Sequence, residues 1–281
     1  EAGLKLGGIL LHRYLRAVGF SKIQKREDYE ELIRFTSECY QTEETAATAE
    51  GEDFSERRKA LAEQIALMVR GHYDEKDEFH PEYAIPYFTG GSERFYEDMV
   101  IERHAEKDSY AGVCDDVNLG VSLIFYLQNV TEYLNRKRYG RMENATASLI
   151  LSGLSVEGKI LMPVQQKMPV MSQIKSSQER NRMLQAARDG DEAAIENLTL
   201  EDMDTYSMIS RRITDEDVFS IVTTHFMPCG VECDHYNVLG EILDVKLLEN
   251  NKTREKIYVL SIETNEIIMD VCINEQDLLG E

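Results

Sequence analysis

Apolar and polar positions change period several times along the chain, and the changes mark out its elements. Between Arg26 and Tyr40, the side chains of Tyr29, Leu32, Ile33 and Phe35 fall near one face of a 3.6-residue repeat, with acids opposite. That pattern predicts an amphipathic helix. Gln41 to Glu56 is acidic and rich in Thr and Ala, and reads as an exposed loop or weak helix. Ser55 to Glu63 (SERRKALAE) is built mainly of good helix formers with Ser55 in a capping position, which predicts a second helix.

From Ile65 the period becomes two. Ile65, Leu67 and Val69 alternate, although Leu61, Ile65 and Met68 also fit a helix. Tyr73 to Phe79 has the polar make-up of a hairpin turn, and the return run Tyr83 to Phe88 follows Pro81 and contains Pro86, which suits an edge strand. Met99 to Ala105 is a further strand candidate, and Val121 to Gln128 is a β-branched and aromatic run without breakers, expected as a buried strand. Thr146 to Leu154 and Lys159 to Val164 bracket Val156-Glu157-Gly158 as another hairpin. Residues 65 to 164 therefore read as a largely antiparallel sheet. Ser172 to Arg212 is helical in pattern, broken at Gly190-Asp191, with Thr199 and Asp202 resembling a capping box. Beyond it, Val218 to Phe226, Val238 to Leu248, Lys256 to Ile262 and Glu266 to Ile273 read as strands, with turn chemistry at Asn250-Asn251-Lys252 and Thr264-Asn265. The fold expected is α+β: an N-terminal domain with a largely antiparallel β-sheet over residues 11–171, a helical linker over 172–216, and a small β-barrel-like domain over 217–281.

Composition narrows the functional classes. A chain of 281 residues with 42% hydrophobic and 30% charged residues can bury a core. Its 52 acids against 31 Lys and Arg give a net charge of -21. Such a surface repels phosphate backbones and anionic lipid on average, so a protein partner is expected ahead of nucleic acid, and no membrane. Cys39, Cys114, Cys229, Cys233 and Cys272 are odd in number and widely spread, unlike a disulfide framework. The longest apolar run, near Val121 to Leu127, falls short of the roughly 20 residues of a membrane helix. No leader pattern opens the chain. A cytoplasmic protein is expected. Residues 1 to 10 carry no helical charge pattern, and Gly7-Gly8 fits a translated ribosome-binding site with Leu11 at a non-standard start. An intact mass of the natively produced protein tests that expectation.

Four segments carry candidate chemistry. His225, Cys229, Cys233 and His235 fall within eleven residues, and thiolate with imidazole suits zinc. Their order and spacing are not those of common closed zinc sites, and a structural turn is expected ahead of zinc from the same residues. No cofactor is therefore expected, with zinc as the alternative. In the segment His104 to Asp116, Cys114 is a candidate nucleophile, His104 its base, and Asp115 or Asp116 the orienting acid. The alternative is a solvated histidine and a turn. Close acidic pairs such as Asp202 with Asp204 are expected by chance among 52 acids. Arg136, Lys137 and Arg138, with Tyr139 and Arg141, offer an RNA or phosphate grip, or else the cationic end of a helix following Asn129. Phosphate-loop, dinucleotide-loop, nucleophile-elbow and paired-histidine zinc motifs are absent from the sequence.

The stretches Asn181 to Ile213 (NRMLQAARDGDEAAIENLTLEDMDTYSMISRRI), Glu216 to Leu243 (EDVFSIVTTHFMPCGVECDHYNVLGEIL) and His12 to Ser21 (HRYLRAVGFS) resemble an uncharacterised domain-of-unknown-function family of anaerobic Gram-positive, clostridial-type bacteria. The likeness runs from about residue 11 to the end and brings no activity with it. It implies that such proteins continue past Gly280-Glu281, so a last strand is expected beyond this chain. The function expected from all of this is a non-catalytic binding or regulatory protein. The alternatives are a metal-assisted hydrolase or thiol enzyme, and an RNA or single-strand binder acting through the C-terminal β part.

Overall fold

The structure is a computed structural model and describes residues 13–48, 51–91, 95–96, 99–103, 110–116, 121–138, 148–161, 224–230, 234–265 and 267–280. The chain divides into two compact units, Glu1–Ile160 with Thr224–Glu281, and Leu161–Thr223. The architecture below is that of the first. The helices expected between Ser172 and Arg212 lie outside the described residues.

Strands dominate, and most pair antiparallel. After a 3-10 turn at Arg16–Val18 comes helix α1, Arg26–Glu38. The first sheet is a meander of β1 (Thr42–Ala47), β2 (Asp53–Ala62), β3 (Ile65–Tyr73) and β4 (Phe79–Phe88), in the order β1-β2-β3-β4. Short β5 (Phe95–Tyr96) is followed by β6 (Met99–Arg103), β7 (Tyr110–Asp116) and β8 (Val121–Tyr126), the last three forming a second antiparallel sheet. Helix α2 (Val130–Arg138) leads to β9 (Ser148–Leu149, paired with β5), β10 (Ser152–Ser155) and β11 (Gly158–Lys159). The returning chain forms a hairpin of β12 (His225–Pro228) with β13 (Tyr236–Leu239), then β14 (Glu241–Glu249), β15 (Lys256–Thr264), β16 (Ile267–Asn274) and β17 (Leu278–Leu279).

The principal core joins both ends of the chain. Leu15, Val18 and Phe20 pack with Leu32 and Ile33 of α1, with Ile65, Leu67 and Val69 of β3, and with Ile257, Val259 and Cys272 of β15 and β16. The alternation along β3 sends Ile65, Leu67 and Val69 to this side, as their spacing predicts. The segment from Leu15 to Ser21 is fixed to the last strands by hydrogen bonds: Asn250 Nδ2 donates to the Val18 carbonyl at 2.8 Å, and Thr253 to Gly19 at 2.7 Å. The Ser21 hydroxyl donates to Glu255 at 2.9 Å, and Arg16 pairs with Asp277. Gly19 is required here. Its φ is +90°, and a Cβ would lie 2.8 Å from Asn250.

Several expectations are corrected. Ser55 to Glu63 is not a helix, and Gln41 to Glu56 is not a loop; together they supply β1 and β2. The helix formers in SERRKALAE are overridden because β2 is central, hydrogen-bonded to β1 on one side and β3 on the other. The described residues between 65 and 161 do not make one sheet. Among the described residues β8 is an edge strand, with Leu123 buried but Tyr126 exposed. The segment around Glu157 is not a hairpin: β10 pairs parallel with β16, and β11 parallel with β17. Val238 to Leu248 is two strands broken at Gly240, where a Cβ would sit 2.2 Å from the Glu263 carbonyl oxygen. The final strands do not close a barrel among the described residues; β14, β15 and β16 form an open sheet with β10, in the order β10-β16-β15-β14. The expected α1, the edge position of β4 with its two prolines, and strands β15 and β16 are present.

Candidate functional site

A concavity lies between α1 and the β3–β4 hairpin. Two contacts set its walls. Tyr29 on α1 donates its hydroxyl to the Ala84 carbonyl at 3.2 Å and accepts from the Ala84 N–H at 3.0 Å, tying the helix to β4. At the hairpin tip, Asp74 Oδ1 accepts from the N–H groups of Lys76 and Glu78, both at 2.9 Å. Asp74 Oδ2 meets His80 Nε2 at 3.0 Å. These bonds, led by the Glu78 N–H, hold the Asp74 carboxyl below its ordinary range. Ligand atoms of Asp74, Glu78 and His80 lie within 4.8 Å of one another, but the turn hydrogen bonds already account for that cluster.

Between these walls is a groove of about 610 Å³. Ile33, Phe79 and Pro81 give it an apolar floor, and Glu30, Glu38, Asp77 and Glu78 bring four carboxylates to its lining. Two arginines also line it, Arg34 and Arg57. The charge of Arg57 is engaged within the protein. Its guanidinium sits 3.9 Å from the Phe79 ring centroid and 4.5 Å from that of Tyr40. It donates to Glu43 at 3.2 Å, to the Ser37 carbonyl at 2.9 Å and to the Tyr73 hydroxyl at 2.8 Å. Tyr73 in turn donates to Glu43 at 2.7 Å. Burial opposes ionisation of Glu43, but the bonds from Tyr73 and Arg57 outweigh it and keep this carboxyl below its ordinary value. Arg57 is thus a structural rivet; Glu30 is paired with Arg26 at 2.6 Å, so Glu38, Asp77 and Glu78 set an acidic excess over Arg34 around the apolar floor.

The next residue, Arg58, faces the other side of β2, as strand alternation requires. It lies 4.6 Å from the Tyr87 ring centroid and 3.5 Å from Glu44. With Thr45, Asn129 and Asn135 these residues line a second, polar hollow of about 430 Å³ against α2. On that face Glu56 and Arg70 form a buried ion pair, 0% and 2% exposed. Neither arginine of the Arg57-Arg58 pair stands out in the sequence, because a helix reading places both on a solvated surface.

The residues singled out from sequence lie elsewhere. Cys114 is on β7, only 2% exposed, packed with Leu123, Leu151 and Phe226. Asp115 follows it on the same strand, opposite Ser122. His104 lies outside the described residues, as does Cys233. His225 stands opposite Leu239 at one end of the β12–β13 hairpin. Cys229 and His235 lie at the other end, where the Cys229 N–H donates to the His235 carbonyl at 2.9 Å. His235 Nε2 is 2.7 Å from the Tyr14 hydroxyl. Burial lowers the tendency of His225 to take a proton. Arg136, Lys137 and Arg138 form the last turn of α2; Arg136 pairs with Glu132 at 2.6 Å, and Lys137 lies 5.7 Å from the Tyr133 ring. Among the described residues, no helix is long and apolar enough to cross a membrane.

No curated protein and no solved structure matches the chain. A family model does, over residues 15–281, beginning at the buried Leu15. The chain therefore belongs to the family described as "Domain of unknown function, E. rectale Gene description (DUF3881)".

Proposed function

We propose that this protein is a non-catalytic binding protein that accepts a cationic segment of a partner protein, one bearing Lys or Arg between apolar residues, in the groove between α1 and the β3–β4 hairpin. The observation that carries the reading is the lining itself: an apolar floor of Ile33, Phe79 and Pro81 with Glu30, Glu38, Asp77 and Glu78 around it. Apolar contact with the floor supplies affinity, and the acids select the sign of the partner's charge. The net charge of -21 attracts cationic partners at long range and disfavours nucleic acid. Arg57 adds little repulsion, because Glu43 and the surrounding rings already hold its charge.

The test uses a fluorescein-labelled peptide of alternating Lys and Leu, followed by polarisation at physiological salt. Its acidic counterpart, with Glu for Lys, is the comparison. The basic peptide is expected to bind and the acidic one not. Reversing Glu38 and Asp77 together to Lys is expected to weaken binding roughly tenfold or more. The same reversal at exposed Glu157, outside the groove, is expected to leave it nearly unchanged. Equal losses from both sites would mean unspecific attraction to an acidic surface and would overturn the reading.

A further inference from the structure

Strand β14 is an open edge of the second four-stranded sheet. It runs nine residues, Glu241–Glu249, without a proline, and among the described residues no strand pairs with its outer side. The contrast with β4, the other long edge, is direct: β4 carries Pro81 and Pro86, which remove backbone donors and block further pairing. β14 also exposes large apolar side chains. Leu243, Val245 and Leu247 are 48%, 50% and 52% exposed. Val245 and Leu247 share one face, because Val245 stands opposite Leu260 and Leu247 opposite Tyr258; Leu243 is the unpaired residue at the bulge between Ile242 and Asp244. Asp244 and Lys246 point to the other face, opposite Ser261 and Val259. An edge of this kind is a template for another strand.

The sequence of the edge says which strand. From Leu243 to Leu247 it reads Leu-Asp-Val-Lys-Leu. Laid antiparallel against itself about a two-fold axis at Val245, Leu243 meets Leu247, Val245 meets Val245, and Asp244 meets Lys246. Val245 and Leu247 fall on one face and the two opposite-charge pairs on the other. A shift by one residue sets Leu243 against Lys246 and Asp244 against Val245, so the self-complementary register is distinguished from its neighbours.

We propose that β14 pairs antiparallel with β14 of a second copy of this chain, joining two four-stranded sheets into a continuous eight-stranded one. The net charge of -21 per chain opposes association at low ionic strength, so the test belongs at physiological salt, where the Debye length is about 8 Å. The full chain is followed by sedimentation velocity over a wide concentration range. A monomer–dimer equilibrium is expected. Lys246→Asp places Asp opposite Asp twice, and Asp244→Lys places Lys opposite Lys twice. Each variant alone is expected to weaken the dimer roughly tenfold or more. Mixed in equal amounts, the two variants restore both opposite-charge pairs and are expected to form a heterodimer close to wild-type affinity. Both positions are exposed, and thermal melts matching the wild type check that the variants are folded. A wild type that stays monomeric throughout, or a mixture that associates no better than either variant alone, overturns the proposal. In the first of those outcomes, the edge is left to a different strand donor.

Discussion

Glu56 and Arg70 are the most consequential polar pair in the first sheet, and removing one of them has a calculable cost. They stand directly opposite each other on β2 and β3. Arg70 Nε donates to Glu56 Oε1 at 3.0 Å, Nη2 donates to the same oxygen, and Nη1 donates to the Tyr83 hydroxyl at 2.9 Å. The guanidinium lies 4.7 Å from the Phe54 ring centroid. Burial alone would favour loss of its proton, but Tyr83 and Glu56 more than offset this and raise its affinity for the proton. Glu56→Gln keeps the shape and removes the charge. Arg70 then stays protonated, 2% exposed and uncompensated. Breaking a buried pair in this way costs about 3–5 kcal/mol. Against a total stability of about 5–15 kcal/mol that is a large fraction. Urea unfolding followed by circular dichroism measures it. Replacing both residues by Met removes the desolvated charges together, and is expected to return stability to within about 1 kcal/mol of wild type. A loss below about 1 kcal/mol for Glu56→Gln, or a double variant no more stable than the single, would refute the reasoning.

Three further outcomes follow from the same geometry. Gly19→Ala forces a side chain into a left-handed residue against Asn250, and is expected to lose more than about 1 kcal/mol in the same unfolding assay. Glu43 has a folded value below its ordinary 4.5, so its contribution is complete above that pH and is lost as pH falls through the folded value. The stability difference between wild type and Glu43→Gln is therefore expected to be flat at neutral pH and to shrink below about 4.5 in a pH series of urea melts. Cys114 and Cys272 are buried, Cys272 donates to the Ala17 carbonyl at 3.1 Å, and burial pushes its thiol well up. Neither is expected to react with a thiol reagent in native buffer, whereas exposed Cys39 reacts at once; mass mapping of the labelled peptides distinguishes them.

What the sequence discloses is the local part of the design. α1 follows from the 3.6-residue spacing of Tyr29, Leu32 and Ile33, and β3 from the alternation of Ile65, Leu67 and Val69. β15 and β16 follow from their β-branched runs and the turns beside them. The failures are non-local. Nothing near Ser55 to Glu63 announces the β1 and β3 pairing that makes a strand of a helix-forming segment, nor the rings of Tyr40 and Phe79 against Arg57. The parallel pairing of Ser152 with Asp270 joins segments far apart in the chain, and no short-range pattern encodes it. The groove escaped for the same reason. Its floor and its acids come from α1 and from a hairpin some forty residues later, and each acid alone looks like ordinary surface in so acidic a chain. Of the short clusters that do stand out in sequence, Cys114 lies on a packed strand, and His225, Cys229 and His235 at the two ends of a hairpin.

The central claim is that the groove, and not the acidic surface at large, recognises a cationic partner segment. The most direct measurement is the binding of the labelled Lys-Leu peptide to the wild type, to the Glu38→Lys/Asp77→Lys variant and to Glu157→Lys, at matched salt. The account predicts tight binding by the wild type and Glu157→Lys, and a loss of roughly tenfold or more confined to the groove variant. Binding that is absent from all three, or that falls equally in both variants, would contradict it.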